Sequence, residues 1–206
     1  MKKFFPFFTL YVIVISGNVY SQKARVGLTT GATLATYKVK SELVSVTSKS
    51  KAGITIGIFS DIPLGSSGSF MPALNFVQKG GTLKAGGMKD RLTTNYLEIP
   101  LNFVYKANLT NGKFFIGAGP SFNVGISGKE KIEAEGNSQS EKVKFGKDKD
   151  FKSFDAGLNF VTGYIGKSGM MVSVNYNAGL SNSVNPGEGD GKFLNRYFGL
   201  RIGYVL

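Results

Sequence analysis

The 206-residue chain has no cysteine and no histidine. Without thiols there is no disulfide framework, so the fold is held non-covalently. Without imidazole there is no Ser-His triad, no Cys-His pair and no His-ligated zinc. Carboxylates and lysines are the remaining enzymatic route, and nothing in their spacing points to one; no catalytic residue, cofactor or metal ligand is expected. Past the first residues there is also no run of 18 or more apolar residues, which excludes a transmembrane helix. No stretch carries a helical period.

The first residues are different. Met1-Lys2-Lys3 is a basic start, Phe4 to Ile15 is apolar except for Pro6 and Thr9, and Val19-Tyr20-Ser21 suits a signal peptidase. This layout predicts a cleaved secretory signal peptide over residues 1–21. A single mature domain over 22–206 is then expected. The formal charge of +12 falls to +10 once Lys2 and Lys3 are removed. For an exported chain, that balance points to an anionic membrane surface and away from nucleic acid.

What is abundant is glycine, 28 residues or about twice the usual share, together with 13% aromatics. Eight stretches alternate with a period of two, the signature of β-strands. They cover Ala24–Tyr37, Lys51–Ile62, Ser69–Val77, Asn95–Lys106, Lys113–Ser127, Phe154–Gly166, Met170–Ser181 and Leu194–Leu206. In 170–181, Met170, Val172, Val174, Tyr176, Ala178 and Leu180 oppose Met171, Ser173, Asn175, Asn177 and Gly179. The connections alternate between short, at 63–68, 107–112 and 167–169, and long, at 38–50, 78–94, 128–150 and 182–193. Short turns on one side and long loops on the other fit an up-and-down barrel crossing a membrane.

A lipocalin also has eight strands, and the residue types separate the two folds. A soluble barrel would crowd its interior with the large side chains of eight strands while Gly and Asn faced water. A membrane barrel inverts this, with large apolar residues toward lipid and small or polar ones in the lumen. The predicted fold is therefore an eight-stranded antiparallel up-and-down transmembrane β-barrel in an outer membrane, with short periplasmic turns and long extracellular loops. Tyr105, Tyr164 and Tyr204 end apolar faces at the short-turn rim, and Phe70 and Phe114 open strands there. Together they predict a periplasmic aromatic girdle at the interface.

By the same parity Glu98, Asp155 and Arg201 face the lumen, where they are expected to form a polar network that fixes register. An ion path is the alternative reading. Arg91, Lys152 and Arg196 have outward parity at the loop-side ends of strands four, six and eight. They suggest a collar holding anionic groups of lipopolysaccharide, with ordinary snorkelling rim residues as the alternative.

The stretches "NFVQKGG" (75–81), "NYLEIPLNFVYK" (95–106), "FFIGAGPSFNVGISGK" (114–129) and "NRYFGLRIGYVL" (195–206) resemble the outer-membrane β-barrel family of Bacteroidetes, often called PorT-like. The resemblance implies a small eight-stranded barrel inserted into the outer membrane after export, and so a meeting with the barrel-assembly machinery. It implies little about activity; some members look like parts of secretion systems. One departure is the final Leu206, where such barrels usually finish on an aromatic residue.

"GTLKAGG" (81–87) and "GAGP" (117–120) lack P-loop spacing and a strand-to-helix setting. Glu133, Glu135 and Glu141 lack the EF-hand pattern. The expected function is thus a non-enzymatic outer-membrane protein, structural or contacting lipopolysaccharide or other envelope proteins through its loops. A narrow pore, a secretion-associated component and a soluble periplasmic lipocalin-like carrier are the alternatives.

Overall fold

The computed structural model describes residues 24–40, 45–134, 137–147, 149–185 and 192–206. The leader expected over 1–21 lies outside the described residues. Ten strands form one sheet: β1 (Arg25–Lys40), β2 (Ser45–Thr47), β3 (Lys51–Leu64), β4 (Gly68–Ala85), β5 (Met88–Leu109), β6 (Gly112–Ala134), β7 (Asn137–Val143), β8 (Phe154–Gly166), β9 (Met170–Gly179) and β10 (Lys192–Val205). Eight of them make a ring in the order β10-β9-β8-β6-β5-β4-β3-β1, closed by β1 against β10. All ring pairings are antiparallel, so every sequence-predicted strand is a stave of the barrel. β2 lies on β1 and β7 on β6, both beyond the ring.

Closure fixes the stagger. From Ile54 the paired residues run Ala32, Leu200, Val174, Thr162, Ile116, Tyr105 and Gly68, and return to β3 at Leu64, ten residues further on. A shift of that size demands strongly tilted strands and a lumen just wide enough for side chains to fill.

The faces divide as the alternation requires. Leu28, Ile54, Phe103, Ile116 and Leu200 are exposed on the outside, whereas Thr55, Asn75, Glu98, Asn123 and Asn177 are buried within. A lipocalin-like carrier would need the opposite arrangement. Two connections expected as long loops are largely strand. β4 and β5 continue through 78–94 to a tight turn at Gly86 and Gly87, both in the left-handed region at φ +53° and +81°. Most of 128–150 is likewise the end of β6 paired with β7. Both sides of these extensions carry charged residues, so they lack the clean apolar contrast that betrays a membrane strand.

Reading the lumen-facing residues of β5 from the turn end gives the order of the layers inside. Lys106 sits in an ion cluster, its Nζ bonding Oδ1 of Asp61 while Arg25 bonds Oδ2 at 2.8 Å. Val104 belongs to an apolar layer with Phe59, Met71, Phe115, Ile165, Met171 and Val205. Seven strands of the ring each supply one large side chain to it. The eighth, β1, supplies Gly27, where a Cβ would lie 2.4 Å from the Phe59 ring; the glycine is the slot in which that ring lies. Asn102 begins an amide ladder, accepting from Asn159 at 3.0 Å while Asn159 accepts from Asn175 at 3.3 Å. A cavity of about 40 Å³ beside this ladder and Phe115 has room for about one water. Glu98 marks the charged layer, and above it Tyr96 and Leu92 lie under an aromatic roof. Tyr37 stacks on Phe193 with ring centres 4.7 Å apart, Phe151 meets Phe193 edge-on at 5.0 Å, and Phe145 meets Tyr96 at 5.5 Å.

Candidate functional site

Besides the Arg25, Asp61 and Lys106 cluster at the turn end, two places concentrate charge: the middle of the lumen and the sheet that stands above the loop-end rim. In the lumen Glu98 is fully buried. Its Oε1 accepts the Tyr197 hydroxyl at 2.6 Å and lies 3.8 Å from Arg201 Nη2; its Oε2 lies 3.4 Å from Lys79 Nζ. Arg201 also donates to the Tyr197 hydroxyl at 3.2 Å. Lys79 donates to Asn123 Oδ1 at 2.8 Å, and its ammonium lies over the rings of Tyr96 and Tyr197, 4.9 and 5.2 Å from their centres. Asn123 in turn donates to the backbone oxygen of Asp155 at 3.4 Å, and the Asp155 carboxylate takes the Ser181 hydroxyl. Two cations thus stand against Glu98, with Asp155 one amide away. Such a layout locks five strands together.

The upper sheet depends on one irregularity. Asn95 pairs with Ser127 but Tyr96 pairs with Gly125, so Ile126 is an extra residue on β6. A bulge of this kind reverses which residues of the strand face outward. Below it the outward residues of β6 are Phe122, Val124 and Ile126; above it they are Ser127, Lys129, Lys131 and Glu133. Lys131 stands opposite Arg91 on β5, and Lys129 opposite Lys142 on β7. The inner face of the same sheet is acidic. Glu130 and Glu141 are opposed across β6 and β7 there, with Asp90 nearby on β5. Burial pushes the Glu130 carboxyl above its ordinary range, and the neighbouring Asp90 and Glu141 push it further; burial raises Asp90 as well, against a hydrogen bond from Glu130. On the outer face the half-buried Glu133 is held down to about 2 by hydrogen bonds from Lys131 and Lys89.

The structure joins Glu98 and Arg201 directly and ties Asp155 to them through Asn123. Arg91, Lys152 and Arg196 stand apart. Arg91 sits in β5 between Thr82 and Lys131; Lys152 precedes β8, its backbone N–H bonded to Ser183 at 2.8 Å; Arg196 sits in β10 between Thr36 and Ala178. Phe70, Tyr105, Phe114, Tyr164 and Tyr204 all carry outward parity at the turn end. Phe114 is opposite Tyr164, and Phe70 lies 5.2 Å from Phe103. Sequence reasoning missed Lys79, placed in a loop although it continues the Asn75, Val77 alternation. It also missed the Arg25, Asp61 and Lys106 cluster, whose members share lumen parity at the turn-side ends of β1, β3 and β5.

The family model described as "Outer membrane protein beta-barrel domain" matches residues 20–185 of the chain. Among solved structures, Ail, the attachment invasion locus protein of Yersinia pestis, is 12% identical, with 89% of this chain and 99% of that one covered and a TM-score of 0.47. The same protein in complex with the heparin analogue sucrose octasulfate aligns with equal identity and coverage at a TM-score of 0.46. Neisserial surface protein A is also 12% identical over 89% of this chain and 99% of its own, at 0.45. No curated protein sequence matches the chain significantly.

Proposed function

The chain belongs to the outer membrane protein beta-barrel domain family and lies in the outer membrane; from that premise we propose that it is a non-enzymatic, non-conducting barrel that holds a charged sheet at the membrane surface to engage lipopolysaccharide. The observation that carries this reading is the division of labour between inside and outside. The lumen is sealed by an apolar layer drawn from seven strands, a charged layer and an aromatic roof. Arg91, Lys129, Lys131 and Lys142, by contrast, share the outward face of β5 to β7. An anionic surface of sugar phosphates is the complement of that face.

The collar of Arg91, Lys152 and Arg196 enters this proposal in altered form, with Arg91 as part of a cationic sector and the other two as separate rim cations. Girdle roles for Phe70, Tyr105, Phe114, Tyr164 and Tyr204, removal of residues 1–21, and insertion by the barrel-assembly machinery belong to the same reading. So does kinship with PorT-like barrels of Bacteroidetes, supported by "YLEIPL" and "GAGP". The test has two parts. In planar bilayers the purified barrel should give no discrete current steps, and in detergent it should bind lipopolysaccharide. Discrete steps would favour the narrow pore, and a lack of binding would remove the ligand.

A further inference from the structure

Where β6 changes partner, the sheet opens. Up to Val124, β6 is paired with β8; from Gly128 it is paired with β7. Gly125, Ile126 and Ser127 span the change, and among the described residues only the Gly125 N–H reaches across, to Ser153 at 2.8 Å. The bulge at Ile126 adds to the gap. The result is an open cleft of about 950 Å³ on the outer surface, with Lys129, Lys142, Lys144 and Lys149 around it and Ile126 at its base.

Three properties make this cleft more than a solvated patch. Lys129 and Lys142 are directly opposed across two strands, an arrangement that destabilises a sheet unless an anion lies between them. None of the four lysines makes an ion pair among the described residues. Of the acids beside the cleft, Glu141 stands opposite Glu130 on the other face, and the Asp150 carboxylate accepts the Lys144 backbone N–H at 2.8 Å. Directly below the cleft, Ile126, Val124 and Phe122 continue down the outside of β6, with Phe154 of β8 stacked on Phe122 at 6.0 Å. Cationic groups therefore sit at the top of an apolar surface that faces lipid.

We propose that this cleft is a binding site for a phosphorylated glycolipid, with the phosphate held among Lys129, Lys142, Lys144 and Lys149 and an acyl chain running down Ile126, Val124 and Phe122. The inference rests on the lipopolysaccharide reading above and gives it one address. The lysines grip by charge-assisted hydrogen bonds, and the apolar strip distinguishes a lipid-linked phosphate from a free one.

The test uses the full barrel in detergent and three probes: bisphosphorylated lipid A, the same lipid with its phosphates removed, and inorganic phosphate. Native mass spectrometry gives the affinity for each. The native chain should hold the phosphorylated lipid at least about tenfold more tightly than the other two, the yield of one charge-assisted contact. The quadruple variant K129Q/K142Q/K144Q/K149Q should lose that preference. A control variant, K38Q/K40Q/K113Q/K167Q, has the same charge change elsewhere and should keep it. Unheated gel mobility verifies that each variant is folded. Equal binding of inorganic phosphate, or of the dephosphorylated lipid, overturns the proposal. If the quadruple variant binds like the native chain, this cleft is not the site although the broader reading stands. If the native chain does not bind the phosphorylated lipid, both fall together.

Discussion

Replacing Glu98 by leucine deletes the one carboxylate against which both Lys79 and Arg201 are placed. Lys79 is almost entirely enclosed, with 1% of its side chain exposed, and Arg201 is little more so at 11%. After the substitution Lys79 keeps the Asn123 amide and two aromatic rings, and Arg201 keeps only the Tyr197 hydroxyl. Neither arrangement neutralises a buried cation. Removing one member of a buried pair costs about 3–5 kcal/mol because of the charge left behind, and that is the expected loss for Glu98→Leu. The logic also predicts a rescue. Adding Lys79→Met removes one stranded cation and replaces it with volume-matched apolar packing, which should recover about 2 kcal/mol or more. The chain has no tryptophan, so urea titrations in detergent would be followed by gel mobility of unheated samples and by far-ultraviolet circular dichroism. The double-mutant cycle then yields the coupling directly. A loss below about 1 kcal/mol for Glu98→Leu, or purely additive effects in the cycle, would refute the view that this network is a stability device. A native barrel that conducts, and a Glu98→Leu barrel that does not, would restore the ion path.

The remaining predictions concern the sheet above the rim. Asp90 and Glu130 have carboxyls raised above their ordinary values in the folded chain. The folded state therefore binds protons more tightly than the unfolded one, and stability is fullest below the ordinary carboxylate range and lost as pH rises through the raised values. The urea midpoint should fall from about pH 4 to about pH 8, and D90N/E130Q should flatten that slope; a slope that survives in the double variant refutes the assignment. At the tip of the β4–β5 hairpin, Gly87 has φ +81° and nothing within 4 Å of where a Cβ would lie. Gly87→Ala should therefore cost only the left-handed backbone penalty, about 1–2 kcal/mol, whereas Gly86→Asn should be tolerated. Proteolysis of the hairpin at fixed urea would read both, and equal sensitivity of the two variants would contradict the turn geometry.

The barrel itself was legible because its strands separate two solvents. Ile54, Ile56 and Ile58 alternate with Thr55, Gly57 and Phe59, and no other period fits. Glu98 falls on the buried side by parity alone. The upper strands were not legible for the complementary reason: Lys129, Glu130, Lys131 and Glu133 put charge on both faces, and the single inserted Ile126 breaks the count. Lys79 was lost because strand three was ended at Val77, two residues short of it, whereas β4 runs on to Ala85. The apolar layer inside the lumen escaped because Phe59, Met71, Phe115 and Met171 lie one per strand, among glycines and asparagines that set the overall character of that face. Only the ring brings them to one level.

The placement of the buried charges bears on how such a barrel can be built. Lys79 and Glu98 lie on adjacent strands joined by one hairpin, and Arg25 and Asp61 are direct partners on β1 and β3. Each acid of these pairs can meet its cation before the ring exists, so a hairpin can cross the bilayer without carrying a bare charge into hydrocarbon. Arg201, on the last strand, has no such local partner. Its hydroxyl partner Tyr197 lies on the same strand, but Arg201 meets the Glu98 carboxylate only as β10 comes round to β1. The final strand therefore delivers the cation that completes the network, which couples the end of insertion to closure of the cylinder.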